Sequence, residues 1–354
     1  MTHSERLTSL GWDEGWQKAF DRAPGLEPAR VVAEHRGRFD IVTASGDLYA
    51  TLTGKMSFDA LSREELPTVG DWVAVLPSDD GSSTIQQVMP RRSSFVRKLA
   101  GQDADAQVVA ANVDVVFVLE PFDRGPNLRR LERYLTVAWA SGATPVVILA
   151  KVDLRDDVSE ILAEVKAVAS GTDVHAVSCV TGTGVDALHA YTTGGRTVAL
   201  LGSSGAGKSS LVNALMGEEV MATSEVREDG KGRHTTTHRQ LISLPDGGSL
   251  IDTPGMRELQ LWEGDTGIDV TFDDIAELAQ GCRFNDCSHS VEPKCAVLGA
   301  VESGELPAER LESYRKQLRE LAAIARKKDR ALASAEAKKS RKLYQDASRR
   351  ARQR

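Results

Sequence analysis

Cysteine and aromatic residues are scarce in this chain of 354 residues. Its four cysteines are too few for a disulfide scaffold, and three of them lie within 282–295, which indicates a metal site in a reducing compartment. Aromatic residues make up only 5% of the chain, so large aromatic-lined surfaces are not expected. No apolar run reaches the roughly 18–20 residues of a transmembrane helix, and the amino-terminal stretch MTHSERLTSL lacks the apolar core of a signal peptide. These absences argue against a collagen, a coiled-coil rod, a secreted mini-protein and a membrane protein, and they favour a cytoplasmic location.

Acidic and basic residues are unevenly distributed along the chain. The net charge is −7, yet residues 321–354 hold twelve Lys or Arg residues against three Asp or Glu residues. The remaining residues therefore sum to about −16. An acidic body with a basic tail raises the hypothesis of nucleic-acid binding. A solvated helix face or a disordered tail is the alternative interpretation.

The hydrophobic pattern changes several times along the chain. Near the amino terminus Trp12, Trp16 and Phe20 recur every four residues, which predicts a helix that docks on the body. Five short alternating stretches follow and favour a small β-barrel of the OB type. Near-continuous apolar runs then alternate with helical segments, as the buried parallel strands of an α/β domain require. We expect a helical extension over 1–28, an OB-type barrel over 29–101 and an α/β nucleotide domain over 102–265. A helical zinc domain over 266–326 and a basic tail over 327–354 should follow.

A complete phosphate-binding motif, G-x-x-x-x-G-K-[ST], spans Gly202 to Ser209. It follows the apolar strand TVALL and opens the helical segment SSLVNALMG, which is the context that makes the motif specific. Its glycines let backbone N–H groups surround phosphate oxygens at a helix N-terminus, while Lys208 would contact the β- and γ-phosphates and Ser209 would bind Mg²⁺. The predicted phosphate contacts are Gly202, Ser203, Ser204, Gly205, Ala206, Gly207, Lys208, Ser209 and Ser210.

Two further motifs favour GTP over ATP. The sequence DTPG follows the strand SLI, which predicts Asp252 at the Mg²⁺ site and the N–H of Gly255 at the γ-phosphate. The sequence AKVD follows the strand TPVVIL, where Asp153 would accept both the N1–H and the N2–H₂ of guanine. Adenine does not offer those two donors together. The residues predicted to surround the base are Ala150, Lys151, Val152, Asp153, Ser178 and Cys179.

The order of these motifs along the chain is informative. In Ras-like GTPases the phosphate-binding loop comes first and the base-reading elements come last. Here both base-reading elements precede the phosphate-binding loop. One site can form only if the domain is circularly permuted, which a sheet with adjacent natural termini tolerates. The expected fold class is therefore an α/β multidomain protein with an OB-type barrel, a circularly permuted P-loop GTPase domain and a helical zinc domain.

The carboxyl-terminal cysteine cluster has the spacing C-x4-C-x-H-x5-C. Three thiolates and one imidazole form a closed tetrahedral set, the pattern of structural Zn²⁺, and no open position is visible for catalysis. Because the segment NDCSHSVEPKC is very polar, it needs such a metal to fold. The predicted zinc ligands are Cys282, Cys287, His289 and Cys295.

Taken together, these motifs resemble the RsgA/YjeQ family of circularly permuted GTPases that act on the small ribosomal subunit. The resemblance covers about residues 30–330 and includes the stretches GDWV, RKLAG, AANVDVVFVL, GSSGAGKSSLVN, GRHTTT, DTPGMREL and CRFNDCSHSVEPKCAV. It implies GTP hydrolysis stimulated by the 30S subunit and a role in late 30S maturation. The implied partners are the 30S subunit with its 16S rRNA and GTP or GDP, the implied cofactors are Mg²⁺ and one structural Zn²⁺, and we expect a monomer with no membrane association.

Two departures from related GTPases affect the predicted site. The family usually has Asn where this chain has Ala150, and the loss of one neutral hydrogen bond, roughly 0.5–1.5 kcal/mol, would weaken GTP binding up to about tenfold. The glutamine that orients the attacking water in Ras-like enzymes is replaced by Met256, so we predict that His234 orients the water. A solvated loop histidine is the alternative. Thr236 is the predicted Mg²⁺ ligand of the same loop, with Thr235 and Thr237 as competitors.

Three functions remain open at this stage. The favoured one is a Mg²⁺-dependent GTPase that binds the 30S subunit and is slow alone. The second is a nucleotide-gated rRNA-binding module in which hydrolysis only resets the switch. A P-loop ATPase or kinase is the third, and it lacks support because Asp153 is suited to guanine.

Overall fold

The computed structural model describes most of the chain, and its helices and strands are numbered below in chain order. The described residues are 3–21, 23, 25–60, 62–78, 81–98, 106–123, 125–221, 240–252, 265–327 and 329. Among the helices in these ranges, none combines the length and the apolar character needed to span a bilayer.

Two short helices, α1 (His3–Thr8) and α2 (Glu14–Phe20), form the amino-terminal segment. The predicted single helix is interrupted at Gly11, whose φ of +93° belongs to the left-handed region that glycine adopts readily. Asp13 then caps α2 by accepting a hydrogen bond from the backbone N–H of Trp16 at 2.9 Å. The aromatic stripe docks on the body as expected, with the rings of Trp12 and Trp72 at 4.7 Å edge to face.

A closed five-stranded barrel follows, which confirms the predicted architecture. Its strands are β1 (Glu27–His35), β2 (Arg38–Thr43), β3 (Asp47–Leu52), β4 (Trp72–Pro77) and β5 (Ser82–Val88), with α3 (Gly54–Asp59) between β3 and β4. The strand order is β1-β2-β3-β5-β4, and β4 pairs back onto β1 to close the barrel. Alternating residues such as Val31, Ile41 and Ile85 are fully buried inside it. This alternation of buried and exposed residues is the pattern from which the strands were predicted.

A six-stranded sheet forms the nucleotide domain. Its elements are β8 (Val115–Pro121), α4 (Leu128–Ala140), β9 (Thr144–Ala150), α5 (Val158–Val168), β10 (Asp173–Val177), α6 (His189–Thr192), β11 (Thr197–Gly202), α7 (Lys208–Met216), β12 (Gln240–Ser243) and β13 (Ser249–Asp252), preceded by the hairpin β6 (Ser94–Lys98) and β7 (Ala106–Ala111). The order is β10-β9-β8-β11-β13-β12, parallel except for β12. The phosphate-loop strand β11 lies inside the sheet although three of its strands precede it in the chain, which confirms the circular permutation.

In the part of the chain that the structure describes, one strand pair joins the barrel to the sheet. Ala33 of β1 lies opposite Gln240 of β12, and Gln240 lies opposite Asp252 of β13. A single line of residues across three strands therefore connects the barrel to the end of β13.

Four carboxyl-terminal helices follow, and the first and the last of them contact α4. They are α8 (Asp265–Thr271), α9 (Asp273–Ala279), α10 (Ala296–Ser303) and α11 (308–327). Arg310 of α11 donates to the carboxylates of Glu132 on α4 at 3.0 Å and Asp274 on α9 at 2.8 Å, and it stacks over Phe272. Because Arg310 and Glu132 are both buried, removing either one would leave an uncompensated charge. The network fixes the helical region to the nucleotide domain.

Candidate nucleotide and metal sites

The predicted nucleotide-binding loops emerge at one edge of the sheet. Gly202, at the end of β11, is in register with Leu119 of β8. Ala150, at the end of β9, is in register with Pro121 of β8 and Val177 of β10. Because the four strands are parallel and adjacent, the loops that follow them lie beside one another, and this edge is where open α/β sheets bind ligands.

The phosphate-binding loop turns sharply between β11 and α7. Gly205 and Gly207 have φ values of +75° and +101°, which glycine adopts without strain. A Cβ on Gly202 would lie 2.7 Å from the carbonyl oxygen of Leu119, so the close approach of the two strands requires glycine there. The loop leads directly into the N-terminus of α7, where unpaired N–H groups and the helix dipole favour an anion.

Lys208 is folded back over the loop that precedes it. Its Nζ donates to the carbonyl oxygens of Gly202 and Ser203, each at 2.7 Å. The ammonium group is thereby held at the mouth of the loop, where its charge can neutralise phosphate oxygens.

The base-reading loops approach each other at the ends of β9 and β10. A short 3-10 turn, Val152–Leu154, exposes Asp153 to solvent. Ser178 is buried, and its hydroxyl accepts hydrogen bonds from the backbone N–H groups of Val180 and Thr181 at 3.3 and 3.2 Å, which shapes the second loop. The two loops are close in space because Val177, at the end of β10, is in register with Ala150, at the end of β9. Burial raises the pKa of the Cys179 thiol, and the Asp153 carboxylate raises it further.

Ala150 packs against the phosphate-binding loop with an apolar side chain only. A Cβ on Gly207 would lie 3.7 Å from the Cβ of Ala150. A methyl group at this place offers no hydrogen bond to either loop.

A contact that the sequence did not indicate involves Lys151 of the AKVD motif. Its Nζ donates to the Oδ2 atom of Asp123 at 3.3 Å. Asp123 lies in the polar loop after β8 and resembles any surface acid in the sequence. The one sequence feature that could have identified Asp123 as a site residue is its position just beyond β8, the strand that lies between β9 and β11.

The Mg²⁺ side of the site is described only in part. Asp252 ends β13 beside β11, which places its backbone next to the phosphate-binding strand. Its side chain is not described. The other predicted residues of this part, namely His234, Thr235, Thr236, Thr237, Gly255 and Met256, lie outside the described residues.

The four predicted zinc ligands come together in the helical region. Their ligand atoms all lie within 4.8 Å of one another. The Sγ atoms of Cys282 and Cys295 are 3.8 Å apart, and the Nδ1 atom of His289 is 3.6 and 3.4 Å from these two sulfurs. A tetrahedral Zn²⁺ with its usual bond lengths requires sulfur–sulfur and sulfur–nitrogen separations of about 3.8 and about 3.6 Å. The cluster is therefore consistent with structural zinc.

Local backbone conformations and burial support this donor set. His289 and Lys294 have φ values of +55° and +59°, which turn the segment between α9 and α10 back on itself. Cys295 caps α10 by accepting a hydrogen bond from the backbone N–H of Leu298. Burial lowers the pKa of His289 and so favours the neutral imidazole, the form that binds metal.

Comparisons with known proteins agree with this geometry. A family profile described as "RsgA GTPase" matches residues 88–262, and one described as "50S ribosome-binding GTPase" matches residues 197–333. "Small ribosomal subunit biogenesis GTPase RsgA 2" of Lactiplantibacillus plantarum is 46% identical over 89% of this chain and 89% of its own length. "Small ribosomal subunit biogenesis GTPase RsgA" of Streptomyces coelicolor is 47% identical over 91% of this chain and 88% of its own length.

Solved structures show the same architecture. The crystal structure of YjeQ from Thermotoga maritima superposes with a TM-score of 0.63 at 28% identity and covers 84% of this chain and 99% of its own. That of YloQ, described as a circularly permuted GTPase, has a TM-score of 0.58 at 24% identity, with 84% and 96% covered. The second likeness concerns the fold alone.

Proposed function

The chain belongs to the RsgA family of circularly permuted GTPases, and we propose on that basis that it hydrolyses GTP while bound to the small ribosomal subunit, during late maturation of that subunit. The observation that carries the proposal is the meeting of the phosphate-binding and base-reading loops at one sheet edge, in a chain whose relatives are named small ribosomal subunit biogenesis GTPases. We further propose that it acts in the cytoplasm as a monomer.

GTP and GDP are bound by the residues predicted from the motifs. The backbone of Gly202–Ser210 and the ammonium of Lys208 hold the phosphates, with Gly255 at the γ-phosphate. Asp153 accepts two hydrogen bonds from guanine, and the remaining contacts come from Ala150, Lys151, Val152, Ser178 and Cys179. Two charge-assisted acceptor positions for guanine make this site prefer GTP to ATP.

A Mg²⁺ ion is expected with the nucleotide, held by Ser209, Thr236 and Asp252. Ser209 lies near the start of α7, the helix that follows β11, and Asp252 ends β13, the strand parallel and adjacent to β11. Oxygen donors suit this ion. When bound, it neutralises charge that develops on the phosphates.

His234 is the residue we assign to orienting the attacking water. Met256 occupies the place after DTPG where a polar side chain would otherwise do so, and a thioether cannot align a water molecule. Thr236, two residues further along the chain, is the proposed Mg²⁺ ligand of the same segment.

In the carboxyl-terminal region, one Zn²⁺ is held by Cys282, Cys287, His289 and Cys295. All four donors come from the protein, so the metal has a structural role rather than a catalytic one.

A second candidate is a nucleotide-gated rRNA-binding module, favoured by the excess of basic residues in 321–354. The test is the rate of GTP hydrolysis by the full chain alone and with 30S, 50S or 70S particles. Stimulation by 30S alone supports the first proposal. Nucleotide-dependent binding without stimulation favours the second, and stimulation by 50S would contradict both.

The same assay tests the assignment of His234. His234→Ala should reduce 30S-stimulated hydrolysis about 100-fold or more, since an orienting or proton-transfer group contributes roughly 10²–10⁴-fold. GTP binding should hardly change. His238→Ala is a matched control in the same segment and should stay within about threefold of the parent. A loss below about threefold in His234→Ala would assign the role elsewhere.

A further inference from the structure

Asp123 lies between the two halves of the proposed nucleotide site. Strand β8 is hydrogen-bonded to β9 on one side and to β11 on the other. Beyond the end of β8, the backbone N–H of Phe122 still donates to the carbonyl oxygen of Ala150 at 2.8 Å. Asp123 follows directly and is thereby held beside the base-reading loop.

The two carboxylate oxygens of Asp123 have different surroundings. Oδ2 accepts a hydrogen bond from the Nζ of Lys151 at 3.3 Å, and each of these side chains is 28% exposed. Oδ1 is buried and has no hydrogen-bond partner within the described part of the chain. A buried carboxylate oxygen without a donor is costly, and this one lies next to a motif that binds a ligand.

Lys151 needs such an anchor for two reasons. Its φ of 67° and ψ of 39° are in the left-handed region, which a non-glycine residue occupies only when its surroundings hold it there. The neighbouring Ala150 contributes only a methyl group, so no polar side chain at that position fixes the loop.

We propose that Asp123 is a positioning residue for nucleotide binding, because it holds Lys151 along the base. In this role it supplies the polar contact that Ala150 cannot make. The inference rests on the proposed nucleotide site. Because Asp123 acts on the base-reading loop through Lys151, it should affect the affinity for GTP and GDP equally and leave kcat unchanged.

The first test is a double-mutant cycle on the full chain, read out as Kd for fluorescent GDP and GTP analogues. Asp123→Ala should weaken both nucleotides about tenfold, the lower range for a charge-assisted hydrogen bond. In a Lys151→Ala background the same change should have less than a threefold effect. Equal effects in both backgrounds would show that Asp123 is only structural and would overturn the proposal.

Two further variants keep the test independent of folding. Asp123→Asn keeps an acceptor oxygen but loses the charge, so an intermediate loss of affinity is expected with an unchanged melting temperature. Asp157→Ala, which removes an exposed ion pair with Arg155 near the same loop, is the matched control and should bind like the parent. If Asp157→Ala lowers the nucleotide affinity as much as Asp123→Ala does, the proposal is also overturned.

A third arm tests the relation to position 150. Ala150→Asn should improve affinity more in the Asp123→Ala background than in the parent, because it restores a polar brace where none remains. The same gain in both backgrounds would contradict this relation. A parent chain that binds no GTP would instead contradict the proposed function, so the two failures are distinguishable.

Discussion

At the scale of single residues, Asp153 carries the discrimination between GTP and ATP in the proposed site. Its carboxylate is exposed at the turn after β9, where it can accept two hydrogen bonds from one base edge. Asp153→Asn should weaken GTP binding roughly 100-fold, since the charge is lost and one acceptor oxygen is replaced by an NH₂ group that cannot accept a hydrogen bond from guanine. It should favour xanthosine triphosphate, because an amide can donate to the 2-oxo group. The measurement is competition of both nucleotides against a fluorescent GDP analogue.

The control for this prediction is Asp156→Asn. Asp156 is an exposed acid a few residues further along the chain and should not change the preference. If Asp153→Asn binds GTP as tightly as the parent does, the base-reading role belongs to another residue.

Some single residues could be predicted from the sequence and others could not, for a physical reason. Phosphate, guanine and zinc chemistry demand particular residue types at particular spacings, so their motifs are readable. The basic residues at the exit of the barrel have no such spacing. Arg91 pairs with the fully buried Asp71, and Arg92 pairs with Asp13 and stacks over Trp16 at 4.3 Å. Their partners are distant in sequence, so these arginines cannot be told from surface charges beforehand.

At the scale of secondary-structure elements, some strands could likewise be predicted from the sequence and others could not. The barrel strands and the buried strands β8, β9 and β11 were predicted because alternation and continuous apolar runs are strong signals. The edge strand β10 was not, since DVHAV is short and only its last residue is fully buried. Strand β7 was hidden in the apolar run that leads into β8. The run divides into two strands at residues 112–114, where Asn112 has a positive φ of +54°.

The segment that carries the four zinc ligands depends on the metal for its fold, and removal of the zinc should have a local effect. Cys287→Ser, or a strong chelator, should remove zinc and open the segment 282–295, because metal binding supplies folding free energy. Helix α11 should stay in place, since Arg310 ties it to Glu132 independently of the cluster. Zinc content and hydrogen exchange of the two regions measure this.

Cys179→Ser is the matched control for the zinc experiment, because this cysteine lies in the base-reading loop and should leave one equivalent of zinc in place. Nucleotide binding by Cys287→Ser should remain close to that of the parent, whereas 30S binding should weaken. A parent chain purified without chelator that holds less than about half an equivalent of zinc would count against the site.

At the scale of the whole molecule, one buried arginine connects three parts of the chain. Arg30 of the barrel donates to the carbonyl oxygens of Leu10 and Asn112 and to the hydroxyl of Thr197 at the start of β11. Its burial lowers the pKa of Arg30 to about 10. An arginine is suited to this place because its planar group can donate to several acceptors at once. The amino-terminal segment, the barrel and the nucleotide sheet therefore share one anchor.

The distribution of charge over the whole molecule bears on how it would approach RNA. Outside residues 321–354 the chain sums to about −16, so most of its mass would be repelled by a phosphate backbone. The basic residues of the tail can supply the attraction. Tyr344 is the single aromatic residue in the sequence of 321–354, so contacts to phosphate rather than base stacking should dominate.

Deletion of residues 327–354 should weaken 30S binding, most strongly at low salt. Each phosphate contact contributes roughly −0.7 to −0.9 to the slope of log K against log salt, so the loss of about four contacts should make the slope shallower by about three. Binding to 30S is measured over a salt series, with GTP binding by the free protein as an internal check that should not change. A chain of full length whose tail Lys and Arg residues are replaced by Gln is the matched control, and it should behave like the truncation because the charge and not the length acts. A truncated chain with the affinity and salt slope of the parent would show that the tail is only solvated, and the RNA contact would then belong to the barrel and the zinc region.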